Sequence, residues 1–279
     1  MIDLHSHTSE SDGTDSPVEI IRIAREIGIR TLAITDHDTF SGYDIAQPIA
    51  AANGIDLLCG VELSCRHGAK TVHLLSYFPS GAPADFRTWV GGILISRRER
   101  NLALIERLRG LNVDITLAEV EAVGRTVTGR PHFARVLVDK GYATDRHDAF
   151  HRWIGEESPA FVERIGPTLP DAIAQIRACG GISSLAHPVR LGLSRKPEEE
   201  LTLIAELRDA GLDALEVFHS DQGPSLVARY FEFASLLGLL KTGGSDYHGG
   251  NKPEVALGSV PVPAEVVEHL RAFTRPLPE

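Results

Sequence analysis

Histidine and carboxylate recur in this chain at spacings that suit a metal centre. In the opening Ile2-Asp3-Leu4-His5-Ser6-His7 the two histidines stand at i and i+2. In a strand those positions face the same way, so two imidazoles project to one spot. Ser9-Glu10-Ser11-Asp12-Gly13 follows as a turn-forming run, able to fold the Asp12 carboxylate back over the same strand end. Further candidates fall where short apolar runs stop: His37 between Asp36 and Asp38, Glu62 after Gly60-Val61, His187 before Pro188, then His219, Asp246 and His248. His73 interrupts the β-rich run 71–78. Imidazole and carboxylate without thiolate suit manganese, iron or zinc and do not separate them. Clustered divalent cations lower the pKa of a bridging water from about 15.7 toward 7 and hold phosphate oxygens as charge develops, so phosphomonoester hydrolysis fits best.

The elements that must position these residues read as alternating strands and helices. Ser16-Pro17-Val18-Glu19 is a capping box with proline at the first helical position, and Ile20, Ile23, Ala24 and Ile27 recur on one face before Gly28 ends the run. Residues 31–35 form an apolar strand, 43–53 a helix, and 55–58 a strand leading to Glu62. From 84 to 165 the short strands vanish and the sequence turns helical and charged, with a second capping box at Thr116-Leu117-Ala118-Glu119. This segment is expected to be a helical insertion that covers the pocket. The alternation resumes with a helix over 171–179, a strand over 182–186 ending at His187, a helix over 198–210, a strand over 212–218 ending at His219, and a helix over 225–237. The run 239–244 then delivers Asp246. The pattern predicts one α/β barrel in two parts, 1–83 and 166–279, with its active site at the C-terminal face of the strands.

Composition narrows the partners. A formal charge of −10 and a pI near 5.6 speak against an extended basic surface for long nucleic acid. A small phosphorylated substrate stays open, because bound cations invert the sign of a carboxylate-rich pocket. There is no apolar run of membrane-spanning length, about eighteen residues, and no leader pattern, so a cytoplasmic location is expected. Cys59, Cys65 and Cys179 form no C-x-x-C pair and suit a reduced compartment as buried thiols. His67, His147, His151 and His269 have no supporting context and are expected at the surface.

The stretches Asp3-Leu4-His5-Ser6-His7, Thr35-Asp36-His37, Gly60-Val61-Glu62, Ala186-His187-Pro188 and Ser245-Asp246-Tyr247-His248 resemble, in order, the motifs of the polymerase and histidinol phosphatase (PHP) superfamily. The resemblance spans nearly the whole chain. It implies a distorted seven-stranded (β/α) barrel with three divalent cations, manganese foremost and iron or zinc as alternatives. One cation would take His5, His7, Glu62 and Asp246, a second Asp12, His37 and His248, and a third His73 and His187 with Glu62 bridging. Some relatives have histidine where this chain has Asp12, and aspartate there hardens the site toward manganese or iron.

Substrate selection is expected from the insertion. In Gly129-Arg130-Pro131-His132-Phe133-Ala134-Arg135, Pro131 suits a first helical turn, so Arg130, His132 and Arg135 would gather near a helix N-terminus that favours anions. With Arg190, this resembles the PHP branch that hydrolyses nucleoside 3′,5′-bisphosphates and short 5′-phosphorylated RNA, where guanidinium forks would grip a second phosphate. His219 is expected to protonate the leaving alkoxide, ahead of Asp36 or Asp38, because imidazole titrates near neutrality; its alternative role is to bind substrate oxygen. The rival readings are a histidinol-phosphate phosphatase, an amidohydrolase-type C–N hydrolase and a non-catalytic polymerase module.

Overall fold

The structure is a computed structural model and describes residues 1–68, 70–124, 126–163 and 165–274. Seven strands form one sheet in chain order: β1 (Ile2–Asp3), β2 (Thr31–Ile34), β3 (Asp56–His67), β4 (Lys70–Phe78), β5 (Ile182–Leu185), β6 (Ala214–His219) and β7 (Leu240–Gly244). The sheet nearly closes into a barrel. Leu4 donates its N–H to the Gly243 carbonyl at 3.2 Å, and Asp246 donates to that of His5 at 2.8 Å. Glycine is required at 244, because an added Cβ would lie 2.3 Å from the His5 nitrogen. Buried Asp3 sews the seam by accepting the Ser245 N–H at 2.9 Å, the Ser245 hydroxyl at 2.6 Å and the Gly258 N–H at 2.8 Å.

Pairing is parallel except around β4, which runs antiparallel to both β3 and β5. β3 and β4 follow one another as a hairpin with no helix between them, which breaks the expected alternation and distorts the barrel. The reversal also explains His73. An antiparallel strand enters at the rim where its parallel neighbours leave, so a histidine near the start of β4 meets residues from the ends of the others.

Helix α1 (Pro17–Glu26) begins with the expected capping box, and its Ile20, Ile21 and Ala24 pack with α2 (Ser41–Ala52) against β2. Between β4 and residue 168 the described elements are helical: α3 (Ala84–Gly110), α4 (Leu117–Val123), α5 (Arg130–Asp139) and α6 (Arg146–Ala149), which runs into a π-helical turn at Phe150–Ile154. Helix α3 serves two cores. Its Phe86, Val90 and Ile93 pack with the outer face of the β3–β4 hairpin, while Leu104, Ile105 and Leu108 pack with Val120, Phe133 and Leu137. A helix of 27 residues spans about 40 Å, so one rod joins the insertion to the barrel. Helices α7 (Leu169–Ala178), α8 (Pro197–Asp209) and α9 (Pro224–Leu237) complete the outer layer, and α10 (Ala264–Ala272) sets Val266 and Leu270 against Leu4, Leu75 and Tyr77. Among the described residues, no helix is long and apolar enough to cross a membrane.

Candidate metal centre and substrate cavity

Glu62, on the inward face of β3, is the hub of the barrel mouth. Its Oε1 lies 3.0 Å from both His73 Nδ1 and His187 Nε2. Its Oε2 lies 3.1 Å from His7 Nε2, 3.1 Å from His37 Nδ1 and 3.4 Å from His5 Nε2. Asp246 Oδ1 is 3.3 Å from His5 Nε2 and 3.4 Å from His7 Nε2. Asp12 Oδ1 is 3.3 Å from His248 Nε2 and 3.6 Å from His7 Nδ1. The fold thus brings every expected metal ligand to one place. Their donor atoms form overlapping groups, each compact enough for one cation: His5, His7, Glu62 and Asp246; His7, Asp12, His37 and His248; and His37, Glu62 and His73. His187 Nε2, expected in the third group, lies 3.0 Å from the same Glu62 oxygen as His73 Nδ1.

The donor set fits divalent cations on a direct observation. Buried His5 Nε2, His7 Nε2, His37 Nδ1 and His73 Nδ1 have no hydrogen-bond partner among the described residues, although carboxylate oxygens lie within 3.4 Å of each. An unpaired buried polar atom costs about 1–3 kcal/mol, and four converging imidazole nitrogens without a hydrogen-bond partner are what a cation relieves. Burial, only partly offset by Glu62 and Asp12, pushes the His37 pKa down to about 3, and burial likewise takes His187 down to about 4. Both rings are therefore neutral and able to ligate near pH 7. At His7 burial is outweighed by the adjacent Asp246, Glu62 and Asp12 carboxylates, which raise it to about 10. Burial of Glu62 is overcome by the surrounding imidazoles, which hold its carboxyl well below the usual range. Protons here balance buried carboxylates, and bound cations would displace them.

Two supports escape a reading of the sequence. Glu216 and His219 are three residues apart, which puts them on opposite faces of a regular strand. A register shift between Glu216 and Phe218 inserts an extra residue, and both side chains then gather beside His5. Glu216 Oε1 lies 2.8 Å from His5 Nδ1 and its Oε2 accepts the His187 N–H at 2.6 Å. A carboxylate on Nδ1 keeps the proton there and leaves Nε2 available for metal. The one trace of this in the sequence is a glutamate inside the apolar run 214–218. The second support is Lys252, 3.2 Å from Asp246 Oδ2; Arg190, expected to grip a second phosphate, lines the cavity but also donates to that oxygen at 2.8 Å and to Asp221 at 2.8 Å, and the two turn Oδ1 toward His5 and His7.

Asp36 takes a different place from the one expected. It is buried and accepts from the Thr8 N–H at 2.7 Å, the Thr8 hydroxyl at 2.7 Å and the Ser11 hydroxyl at 2.6 Å. It thereby shapes the loop that presents Asp12, and it does not line the cavity. Gly42 is needed behind it, since a Cβ there would meet Asp36 Oδ2 at 1.9 Å. Asp38, the other carboxylate of that stretch, is ion-paired with Arg97. His219 Nδ1 accepts the Asp221 N–H at 3.0 Å, so the ring's proton sits on Nε2, 3.5 Å from Asp246 Oδ2. This leaves Nε2 facing the hub, the position needed either to protonate a leaving alkoxide or to bind a substrate oxygen.

A cavity of about 470 Å³ lies between the candidate metal ligands and the insertion, which contributes Arg97, Arg100, Arg130, His132, Arg146, Phe150 and Phe161 to its lining. Arg130 and His132 are where the sequence predicted them, and His132 Nδ1 also accepts the Gly129 N–H at 3.0 Å. Arg135 is not. It is exposed and lies 3.8 Å from Asp139, because five residues along a helix turn a side chain about 140° around the axis. Its place is taken by Arg97 and Arg100 of α3, legible beforehand only as part of an arginine-rich helix. Arg97 also reaches Ser64 Oγ at 3.1 Å, clamping the insertion to the barrel. His67, His147, His151 and His269 are exposed and join no metal group among the described residues.

Comparison with known proteins agrees with this geometry. The model of the PHP domain family matches residues 3–129. A 5′-3′ exoribonuclease of Haemophilus influenzae is 30% identical over 246 residues, covering 88% of this chain and 89% of that protein. A 3′,5′-nucleoside bisphosphate phosphatase of Chromobacterium violaceum is 32% identical over 256 residues, covering 88% and 87%. Among solved structures, a Bifidobacterium adolescentis protein described as a metal-dependent phosphoesterase superposes with a TM-score of 0.82 at 32% identity, over 96% of this chain and 94% of that one.

Proposed function

Since the chain belongs to the PHP family of metal-dependent phosphoesterases, we propose that it removes the 3′-phosphate of a nucleoside 3′,5′-bisphosphate, with short 5′-phosphorylated RNA as a second substrate of the same site. The observation that carries this reading is the pairing, in one cavity, of an imidazole–carboxylate hub with a facing arginine wall. Two anion sites of different kind match a substrate with two phosphates. A singly phosphorylated amine such as histidinol phosphate would set its own positive charge against the arginines.

In this reading His5, His7, Asp12, His37, Glu62, His73, His187, Asp246 and His248 hold three divalent cations, manganese foremost, with iron or zinc as substitutes. When bound, such cations supply an activated water at neutral pH and neutralise phosphate oxygens. The chain's own residues do the rest. Glu216 holds the His5 and His187 segments, and Arg190 and Lys252 orient Asp246. His219 donates its Nε2 proton in a hydrogen bond to a substrate oxygen, and Arg130, with Arg100 and Arg146 on the same wall, receives the second phosphate. Segment 84–165 acts as the cap over a barrel made of 1–83 and 166–279. Cys59, Cys65 and Cys179 form no disulfide among the described residues, which suits a reducing, cytoplasmic setting.

The test is steady-state turnover of a panel of phosphate esters with added Mn²⁺. Charge-assisted hydrogen bonds of about 1.5–3 kcal/mol predict a kcat/KM about 10- to 100-fold higher for a nucleoside 3′,5′-bisphosphate than for the 3′-monophosphate. Equal turnover of the two would sink the assignment.

A further inference from the structure

The arginine wall carries two aromatic rings that metal binding and phosphate binding leave unexplained. Phe150 and Phe161 both line the cavity and both are half-buried. One side of Phe150 packs on the insertion's apolar cluster, whereas Phe161 belongs to none of the hydrophobic clusters among the described residues. An apolar ring in so charged a cavity is solvated poorly unless something covers it. Its segment is nevertheless anchored: Arg107 donates to the Phe161 carbonyl, and the Phe161 N–H donates to Ser158 at 3.1 Å.

The neighbouring arginines do not cover the rings. The Arg130 guanidinium carbon is 6.0 Å from the Phe150 centroid and 5.9 Å from that of Phe161, and the Arg146 guanidinium carbon is 5.9 Å from the Phe150 centroid. Cation–π attraction reaches only to about 6 Å, so all three contacts sit at its outer limit. A flat π-system would find aromatic faces on this wall and a cation beside them, which is the combination that binds bases without reading their edges.

We infer that Phe150 and Phe161 form a stacking wall for the nucleobase, on the insertion side of the cavity and opposite the metal hub. The inference rests on the nucleotide reading above and adds where the base lies and which residues favour it. Stacking grows with ring area, so the wall prefers purines over pyrimidines.

The test is calorimetric binding of AMP and ribose 5-phosphate to metal-replete protein, for the wild type, Phe161→Ala and Phe150→Leu, the last keeping most of its packing. A stacked base predicts that wild type binds AMP about tenfold or more tighter than ribose 5-phosphate. Phe161→Ala is expected to remove most of that ratio, and Phe150→Leu to reduce it, so the inference stays testable if the alanine variant misfolds. Equal affinities in the wild type, or a ratio that both variants leave intact, would overturn the wall. Failure of the phosphatase reading looks different: nucleoside bisphosphates would not be turned over while the wild-type preference for AMP persisted.

Discussion

His5 Nδ1 and Glu216 Oε1 lie 2.8 Å apart, joining the chain's opening segment to its sixth strand across the barrel interior. Both side chains are fully buried. The contact selects which imidazole nitrogen keeps its proton and therefore which one is offered to a cation.

Glu216→Gln keeps the shape of that contact but removes its charge and its strict preference for a donor. Metal affinity is expected to fall about 10- to 100-fold, measured by competition with a chelator, because partners behind metal ligands typically contribute that much. Unchanged affinity would mean that Glu216 merely fills space.

The Arg97–Asp38 pair fastens the insertion to the loop after His37, with Asp38 fully buried. Replacing Arg97 by Met strips a buried carboxylate of its guanidinium, a change that typically costs about 3–5 kcal/mol. Denaturant unfolding should show that loss, and adding Asp38→Asn should recover part of it. A double variant no better than Arg97→Met would argue that the pair is not coupled.

Arg130 and Arg135 separate by helix face. Arg130→Ala is expected to raise KM for a nucleoside bisphosphate about tenfold, and more than for an aryl phosphate, as one charge-assisted hydrogen bond lost. Arg135→Ala, exposed beside Asp139, should leave both KM values near wild type. Reversal of the two results would show that the insertion docks through its other face.

Metal removal should destabilise as well as inactivate. Cations bound to Glu62, Asp246 and Asp12 neutralise buried carboxylates in the folded state only, so chelation lowers Tm, and added Mn²⁺ restores it in a concentration-dependent way. Elemental analysis of the replete protein is expected to find up to three equivalents. A Tm indifferent to both chelator and Mn²⁺ would remove the centre.

Most of the residues that converge on Glu62 were legible because strand ends are marked locally. An apolar run followed by His or Asp announces itself in Ile34-Thr35-Asp36-His37 or Leu185-Ala186-His187 without any knowledge of neighbours. The capping boxes at Ser16 and Thr116 were legible for the same reason, since both partners lie within one helical turn. Asp36 shows where such reading stops. The stretch marked it as a strand-end carboxylate, but only the path of residues 8–11 decides that its oxygens face Thr8 and Ser11.

By itself, then, the order of residues determined the short strands, the helix starts and the chemistry of the donor set, because each depends on interactions a few residues long. Tertiary structure alone decided which donors meet and which face away. β4 reverses because its hairpin has no crossover helix, Glu216 turns inward at a bulge, and Arg100 stands on the cavity wall where Arg135 was expected because α3 carries it over the mouth. These depend on register and on distances between segments far apart in the chain, which local propensity does not encode.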